Sequence, residues 1–465
     1  MIEKIHIYHT NDLHSHFEPW PKIVQYIEDM RKLHSEKNEE MFLFDIGDHM
    51  DRFHPITEST FGKLNVRLLN QLNYNAVTIG NNEGITLPYE ALNELYRDAT
   101  FDVVLANLFT PDGTRPSWAK AYQIYTTKEN TRIGIIGLTV FYQLFYELLG
   151  WKIHDPFELL RTLLVELNDQ TDVIIVLSHL GITEDEELAK IPGIDIILGG
   201  HTHHLFEEGK IVDDVLLCGA GKYGQYIGYV ELKVNQASKA IVEKRATVIA
   251  TSQLNSESIS TKETLNDAMK ESELILNEKI GHIPDELINN WFEISPFSQL
   301  LADILKEWCA GEISMVNAGV LLDSLPKGPI SKGEIHRVCP HPINPCNVWL
   351  KGYELKEIIL QANTERMENL RFKGLGFRGE VMGKMVFSGV GIDVKVLSDG
   401  LKHIQNITIN GDPIELKRTY KVSTIDMFTL GYLFPIIRDT KRKEYFMPEM
   451  LRDLLISKLA ENHRL

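Results

Sequence analysis

The chain has 465 residues, of which 43% are hydrophobic and 24% are charged, and its formal net charge is −17 at pH 7. A chain of this length exceeds what one ordinary core holds, so at least two domains are expected. The composition is typical of a globular protein. The excess of acidic residues argues against nucleic acid as a general partner, because nothing offsets repulsion by the phosphates.

The four cysteines show no CxxC spacing, which excludes a zinc knuckle and a thioredoxin-like motif. The first residues, MIEKIHIYHTND, run straight into a predicted strand without the charged and apolar segments of a secretory leader. No window of about 18 apolar residues occurs along the chain. We therefore expect a cytoplasmic protein with reduced thiols and no membrane partner.

Short apolar runs alternate with helical patterns from residue 1 to about residue 250, which predicts a layered α/β domain. The predicted strands are 4–10, 41–47, 76–80, 103–108, 132–139, 172–179 and 194–201. Helices are predicted between several of them, for example over 21–33 and 58–72. The run 215–234 is typical of hairpin-forming strands.

A polar segment, 250–267, has little to bury and is typical of a linker. A helix is predicted directly after it, over 268–280, so residues 251–284 are interpreted as linker and connecting helix. A second domain, 285–465, mixes predicted helices at 298–310 and 352–369 with strands and glycine-rich turns. The expected organisation is therefore an α/β domain followed by an α+β domain.

Polar side chains collect where the predicted strands of the first domain end. In an open α/β sheet, ligands bind just beyond the carboxyl ends of the strands. The residues at these ends are Asp12, His14, Asp48, His49, Asn81, Asn82, His179, His201 and His203. Each pair taken alone is typical of a turn or a cap. Without His49 and Asn82 they supply two aspartates, one asparagine and four histidines, a ligand set suited to two divalent metal ions.

This ligand set favours a dinuclear hydrolase in which a metal-held hydroxide attacks a phosphate ester. Two cations about 3.5–4 Å apart need a bridging carboxylate, terminal imidazoles and a carbonyl-type oxygen. No cysteine is among the candidates, which argues against a structural zinc site. Neither a GxxxxGK[ST] loop nor a GxGxxG turn after the first strand occurs, so Walker and Rossmann nucleotide binding find no support.

The same residues resemble a known family. Asp12-x-His14, Gly47-Asp48, Gly80-Asn81-x-Glu83, His179 and Gly200-His201-x-His203 are similar to the calcineurin-like metallophosphoesterase pattern. The stretches HTNDLHSHF, IGNNE, LGGHTHH and AGKYGQYIGYVEL resemble the 5′-nucleotidase family, and SPFSQLLADIL, ISMVNAGVLL and YKVSTID resemble its C-terminal domain. The resemblance implies a four-layered α/β/β/α sandwich followed by an α+β substrate-binding domain.

Ligand roles follow from this resemblance, position by position. It implies that Asp12, His14 and His203 bind one metal ion, that Asn81, His179 and His201 bind a second, and that Asp48 bridges the two. Zinc, manganese or a similar divalent ion suits this mixture. The implied substrate is a small-molecule nucleotide or phosphate ester, and the oligomeric state stays open.

The family's third motif is Gly-Asn-His-Glu, and here Asn82 replaces its histidine. Asparagine can donate a hydrogen bond to a developing oxyanion, but it cannot deliver a proton. We therefore expect Asn81 and Asn82 to help neutralise the phosphoryl oxygens. His49, Asp51 or His54, just after Asp48, could supply a replacement acid. Of these, His49 is our predicted catalytic residue.

The second domain also departs from the family. After the NAG motif the resemblance implies an arginine that binds phosphate, but this chain has Leu322 there. The aromatic turn near the end of the chain reads FTLGYLFP and lacks the aspartate of the family. Five residues are candidates for substrate binding: Arg371, Arg378, Phe377, Phe428 and Tyr432.

Two alternatives stay open beside the nucleotide phosphoesterase. The combined departures suit a nucleotide-binding or regulatory protein with degenerate catalysis. The loss of a proton donor suits a hydrolase of diphosphates, such as UDP-sugars, whose phosphate leaving group needs less protonation. A hydrolase of 2′,3′-cyclic nucleotides also stays open.

Overall fold

Two units make up the chain in the computed structural model, which describes residues 1–396 and 402–461. Unit 1 is Met1–Ser272 and unit 2 is Glu273–Leu465. The division falls inside the segment 251–284 that the sequence assigns to a linker and connecting helix. The domain limits proposed from the sequence stay a prediction.

Fourteen strands lie in the described part of unit 1. They are β1 (Ile2–Thr10), β2 (Glu40–Asp45), β3 (Ala76–Val77), β4 (Asp102–Val103), β5 (Leu108–Phe109), β6 (Tyr122–Thr126), β7 (Arg132–Thr139), β8 (Lys152–Ile153), β9 (Val173–His179), β10 (Ile196–Gly199), β11 (Lys210–Val212), β12 (Val215–Cys218), β13 (Tyr226–Asn235) and β14 (Ile241–Ala250). They form two six-stranded sheets, ordered β14-β13-β1-β2-β3-β4 and β11-β12-β10-β9-β7-β6, and a β5-β8 pair.

The helices of unit 1 connect these strands. They are α1 (Trp20–Glu36), α2 (Pro55–Thr60), α3 (Lys63–Gln71), α4 (Asn81–Thr86), α5 (Tyr89–Leu95), α6 (Gln143–Leu148), α7 (Pro156–Leu167), α8 (Ile182–Leu188) and α9 (Ile259–Leu276), with a 3-10 turn at Thr251–Gln253. The helix α9 extends four residues past the unit boundary.

The core of unit 1 lies between the two large sheets. Ile5 and Phe44 of one sheet pack in the same cluster as Ile135 and Leu177 of the other, and all four side chains are buried. A second apolar cluster joins β7, β9 and β10 to α7 and α8. Burial on both faces explains the nearly continuous apolar runs of the parallel strands. The layered α/β architecture predicted from the sequence is confirmed.

Strand register brings the carboxyl ends of neighbouring strands into line. Thr10 of β1 pairs with Asp45 of β2, and Thr139 of β7 pairs with His179 of β9. Ser178 of β9 pairs with Gly199 of β10. The β1–β2, β7–β9 and β9–β10 pairs are all parallel, so the loops that follow these strands emerge at the same sheet edge.

Several element predictions are wrong in detail. The predicted helix 58–72 is two helices, α2 and α3, because Phe61 and Gly62 adopt left-handed backbone with φ of 49° and 83° between them. The predicted strand 103–108 is reduced to the ends of β4 and β5.

The run 215–234 does not form a hairpin. Its two strands, β12 and β13, lie in different sheets, and β13 instead pairs with β1 and β14. Gly221 and Gly224, at φ of 69° and 63°, let the chain pass from one sheet to the other. The helix expected over 268–280 begins earlier, at Ile259, and ends at Leu276.

Unit 2 contains ten described strands. They are β15 (Lys279–Ile283), β16 (Ile313–Asn317), β17 (Gly328–Ser331), β18 (Pro345–Lys351), β19 (Met385–Ser388), β20 (Val390–Val396), β21 (Lys402–Ile409), β22 (Asp412–Pro413), β23 (Thr419–Ile425) and β24 (Lys443–Tyr445). The main sheet has the order β19-β16-β23-β18-β24, and smaller sheets join β15 to β17 and β20 to β21 and β22.

Seven α-helices accompany these strands within the described residues. They are α10 (Pro296–Trp308), α11 (Lys332–Val338), α12 (Gly352–Ala362), α13 (Glu365–Glu368), α14 (Met427–Leu430), α15 (Pro435–Asp439) and α16 (Leu451–Glu461), with a 3-10 turn at Ala318–Val320. The predicted helix 352–369 is thus divided into α12 and α13. Among all described helices, none combines the length and the apolar composition that a membrane crossing requires.

Candidate metal centre

The seven predicted metal ligands all lie at the carboxyl ends of parallel strands in unit 1. Asp12 and His14 follow β1, Asp48 follows β2, and Asn81 begins α4 just beyond β3. His179 is the last residue of β9, and His201 and His203 follow β10.

Left-handed backbone is concentrated at these residues. Five of the seven have positive φ angles: Asp12 (50°), His14 (49°), Asp48 (50°), His201 (72°) and His203 (58°). Such angles are uncommon outside glycine and cost free energy that surrounding structure must offset. In an extended strand, successive side chains point to opposite faces. The left-handed residues instead let nearby polar side chains of a short loop point toward the same place.

A first group consists of Asp12, His14 and His203. The two imidazoles face each other, with Nε2 of His14 lying 3.1 Å from Nε2 of His203. Asp12 Oδ1 lies 3.4 Å from Nε2 of His203 and 3.7 Å from Nε2 of His14. Three ligand atoms are therefore close enough together to hold one metal ion.

A second group consists of Asp12, Asp48 and His179, so it shares Asp12 with the first. The Nδ1 atom of His179 donates to the Ile46 carbonyl oxygen at 2.7 Å, which turns Nε2 toward the two carboxylates. This Nε2 atom is buried and has no hydrogen-bond partner. It lies 3.4 Å from Asp48 Oδ2 and 4.0 Å from Asp12 Oδ1.

Two buried carboxylates beside this nitrogen are unfavourable unless a positive charge, either a proton on the ring or a metal ion, lies among them. Burial lowers the pKa of His179, but the charge of Asp48 outweighs it and raises the pKa to about 9. The same field attracts a divalent cation. A carboxylate pair, a free imidazole nitrogen and a fixed outer nitrogen are what a metal site requires, so these residues fit the metal that the sequence implies.

Asn81 and His201 complete the arrangement. Asn81 Oδ1 lies 2.8 Å from Nδ1 of His201. The backbone N–H of His201 donates to both carboxylate oxygens of Asp12 at 3.1 Å, which places this pair beside the shared aspartate. The structure therefore brings all seven predicted ligands together.

Asp48 is held from several sides by the loop that follows β3. The backbone N–H and the side-chain amide of Asn82 donate to its two carboxylate oxygens, each at 2.7 Å. Glu83 accepts the backbone N–H of Asp48 at 2.9 Å and that of Gly80 at 2.8 Å. A Cβ atom at Gly80 would overlap the Asp48 carboxylate, so glycine is needed here for close approach.

Asn82 therefore has a different position from the one expected. Its Nδ2 atom contacts Asp48 and lies 3.3 Å from Nδ1 of His14, and the residue is buried. One of its amide hydrogens is donated to Asp48. The proposed contact between Asn82 and the substrate stays a prediction.

His49 does not face the metal ligands, contrary to its expected role as an acid. Its ring is buried, packs edge-on against Trp20 at 5.0 Å and lies 3.3 Å from the Asn65 amide. Burial lowers the pKa of His49 to about 3, so the ring is neutral near pH 7. The left-handed backbone at Asp48 turns the following residue inward. The role of His49 as a catalytic group stays a prediction, and the burial of its ring against Trp20 argues against it.

Two contributors to the site were missed or misassigned from the sequence. Asp51 Oδ2 lies 3.3 Å from Nδ1 of His14, so it orients this proposed ligand from its far side. Tyr142 follows β7, and its hydroxyl lies 3.2 Å from Nε2 of His201. The rule that site residues follow strand ends could have indicated Tyr142, but no family motif includes it.

A separate cluster of similar composition surrounds His6, midway along β1. Glu39 Oε2 lies 3.1 Å from His6 Nε2 and 3.3 Å from His34 Nδ1, and the two rings stack at 3.7 Å. Tyr229 and Tyr8 hydroxyls lie 2.7 and 3.0 Å from the remaining nitrogens. Because a carboxylate only accepts, the histidines donate to Glu39 and accept from the tyrosines. Every ring nitrogen has a partner.

The aromatic residues proposed for substrate binding in unit 2 divide by exposure. Phe377 is buried and stacks between Phe372 at 4.6 Å and His341 at 5.3 Å. Phe428 is also buried and packs against Phe434. The faces of both rings are occupied by unit 2 itself, so neither is presented for stacking on a base.

The other three proposed substrate contacts remain accessible. Tyr432 is 87% exposed and lies under the guanidinium of Arg438 at 4.9 Å. Arg371 is exposed, and Arg378 is half-buried with its backbone N–H donating to His341. Their role in binding stays a prediction.

Known protein families and a known relative match this chain. The calcineurin-like phosphoesterase family matches residues 5–205, and the 5′-nucleotidase C-terminal domain matches residues 279–432. The uncharacterized metallophosphoesterase YunD of Bacillus subtilis (strain 168) is 52% identical over 462 residues, which are 99% of this chain and 100% of YunD.

Solved structures resemble the chain along nearly its whole length. A putative 5′-nucleotidase from Staphylococcus aureus superposes with a TM-score of 0.71 at 19% identity, covering 99% of this chain and 97% of its own. The NAD nucleotidase of Haemophilus influenzae gives 0.70 at 16% identity, covering 99% and 96%. At these identities the likeness shows a common fold.

Proposed function

We infer the reaction from one premise: this chain belongs to the 5′-nucleotidase family of calcineurin-like metallophosphoesterases and is a metal-dependent phosphoric ester hydrolase. We propose that it uses two divalent cations, zinc, manganese or similar, to hydrolyse a phosphate ester of a nucleotide or a nucleotide-like small molecule. Its second domain, related to the 5′-nucleotidase C-terminal domain, would bind the part of the substrate that does not react.

The observation that carries this proposal is the buried, unpartnered Nε2 atom of His179 between two carboxylates. Asp12, His14 and His203 would hold one cation, and Asn81, His179 and His201 the other. Asp48 Oδ2 lies 3.4 Å from His179 Nε2 and 3.6 Å from His14 Nε2, which supports its role between the two. When bound, the cations supply positive charge that stabilises the charge developing on the phosphoryl group.

The surrounding residues of the chain fix the geometry of these ligands. Ile46 sets the tautomer of His179, Asp51 orients His14, and Asn82 and Glu83 hold the Asp48 loop. Such outer contacts typically change metal affinity or activity by about 10–100-fold when they are removed. The centre is therefore preorganised before substrate arrives.

The proposal is tested with purified full-length protein loaded with Mn²⁺ or Zn²⁺. We expect hydrolysis of 4-nitrophenyl phosphate and of at least one member of a nucleotide panel, measured as released phosphate. Absence of turnover on every ester would contradict it. If metal is bound and nucleotides raise the thermal midpoint without turnover, a nucleotide-binding protein with degenerate catalysis is the better description.

Asn82 favours a second candidate within the same chemistry. No proton donor replaces the family histidine at this position, so diphosphates, which have a weakly basic phosphate leaving group, and 2′,3′-cyclic nucleotides, whose strained ring favours opening, suit the site. Asn82→His tests this directly. A gain on nucleoside monophosphates without a gain on cyclic or diphosphate substrates would favour the second candidate, and an equal response of all classes would count against it.

A further inference from the structure

The proposed reaction needs hydrogen-bond donors that face the phosphoryl group, and two expected donors are turned elsewhere. The Asn82 amide is engaged by Asp48, and the ring of His49 is packed against Trp20. Each already contacts a protein group, and for Asn82 that group is the proposed ligand Asp48. A different residue at the edge of the site has this geometry.

Tyr142 lies between β7 and α6, at the same sheet edge as the proposed ligands. Its ring lies edge-on to that of His201, with the ring centroids 5.9 Å apart, and its hydroxyl lies 3.2 Å from His201 Nε2. The residue is 36% exposed. Tyr142 thus touches a proposed ligand and is itself partly exposed.

The direction of the tyrosine hydrogen follows from the proton on His201. Nδ1 of His201 lies 2.8 Å from Asn81 Oδ1, which only accepts, so without a cation Nδ1 donates to Asn81 and the Tyr142 hydroxyl donates to Nε2. Asn81 is also the other proposed ligand of the same cation. When Nδ1 serves as a ligand, the proton of the neutral ring lies on Nε2 and is donated to the Tyr142 oxygen. The Tyr142 hydrogen is then free to be donated to another acceptor.

We propose that the Tyr142 hydroxyl donates a hydrogen bond to a non-bridging oxygen of the substrate's phosphoryl group. The same bond is made to the phosphate product. This inference rests on the proposed function, because it assumes that a phosphoryl group binds at the cluster. His201 would thereby link the proposed cation to Tyr142, with Nδ1 as the ligand and Nε2 bonded to the tyrosine oxygen. Tyr142 takes part of the role that a histidine has in the family motif, without transferring a proton.

The test compares Tyr142→Phe with Tyr122→Phe in Mn²⁺-loaded full-length protein. Tyr122 is a matched control, since its hydroxyl bonds Glu166 and contacts none of the proposed ligands. We expect Tyr142→Phe to weaken binding of inorganic phosphate, measured by calorimetry, by about 10- to 100-fold, the range for a hydrogen bond to a charged group. Metal content should equal that of the wild type, and Tyr122→Phe should match the wild type in both measurements.

Kinetics then identify the oxygen that accepts the bond. A non-bridging acceptor predicts that kcat/KM falls by a similar factor for 4-nitrophenyl phosphate and for an ester with a poorer leaving group. The proposal is overturned by unchanged phosphate binding, by a loss confined to poor leaving groups, or by reduced metal content in the variant. If the wild type hydrolyses no ester, the proposed function fails, while phosphate binding still decides the role of Tyr142.

Discussion

Strand β1 contributes to two clusters of histidine and carboxylate that differ in one respect. His6, in the middle of the strand, joins His34 and Glu39 in a network where every ring nitrogen has a hydrogen-bond partner. Asp12, just past the end of the strand, joins a cluster in which His179 Nε2 is buried without one. Both groups combine buried histidines with carboxylates, so the unpartnered nitrogen beside carboxylates is the feature that distinguishes the candidate metal centre from the His6 network.

Metal removal should produce the largest difference between the two clusters. Exhaustive dialysis against a chelator is expected to abolish phosphatase activity, and added Mn²⁺ or Zn²⁺ should restore it. Metal at about 100 times its dissociation constant stabilises a single site by ~2.7 kcal/mol. The thermal midpoint of the apoprotein should therefore fall by about 5–10 °C in calorimetry. An unchanged midpoint and full activity after chelation would contradict the assignment.

Substituting one histidine from each cluster sharpens the comparison. His179→Gln should reduce bound metal, measured by elemental analysis, and lower activity by more than the roughly 10–100-fold typical of outer contacts. His34→Gln is the matched control. It should keep wild-type metal content and lose about 1–3 kcal/mol of unfolding free energy, because it leaves buried polar groups unpaired. Equal metal loss in both variants would show that the two clusters are not distinct.

Asn82→Ala tests whether this residue acts on the metal centre through Asp48. It removes the side-chain bond to Asp48 Oδ2 while the backbone bond to Oδ1 remains. We expect metal affinity to fall by about 10–100-fold, with turnover largely recovered at saturating metal. A competition titration against a metal indicator measures the affinity. A loss of turnover that metal does not recover would instead place the Asn82 amide on the substrate.

Acidification should have the smallest effect, and it should involve the His6 network. Burial, followed by the charge of His34, lowers the pKa of His6 below its ordinary value of 6.5. The folded protein then binds this proton less readily than the unfolded chain, so stability is lost as pH falls below 6.5. The loss for one proton is at most about 1.4 kcal/mol per pH unit.

Urea unfolding of the wild type and His6→Gln between pH 7 and pH 5 measures this term. The difference between the two proteins isolates His6 from the other buried histidines. We expect the wild type to lose more stability on acidification than the variant. Parallel pH profiles would assign the acid sensitivity elsewhere.

The sequence predicts that the candidate ligands lie close together, because the ends of the strands can be read from it directly. Asp12, Asp48 and His179 each follow or end an apolar run, and parallel register then aligns those ends. The predicted two-domain architecture is confirmed. It could be predicted because the spacing of apolar residues indicates which face of each helix or strand is buried.

Other assignments depend on side-chain direction, which sequence spacing does not determine. His49 is adjacent to Asp48, yet left-handed backbone at Asp48 turns it toward Trp20. Phe377 lies in a glycine-rich loop that looks exposed, but its ring is stacked on His341 in unit 2. Both outcomes follow from contacts between residues distant in sequence.

The left-handed backbone of the proposed ligands has a consequence for how the protein could change. Asp12, His14, Asp48, His201 and His203 each hold a conformation that costs of order 1–3 kcal/mol and that glycine adopts freely. A mutational screen for thermostability alone would thus favour glycine where the chemistry needs a ligand. Positions at which glycine stabilises the apoprotein yet removes turnover would mark the centre without any knowledge of the substrate.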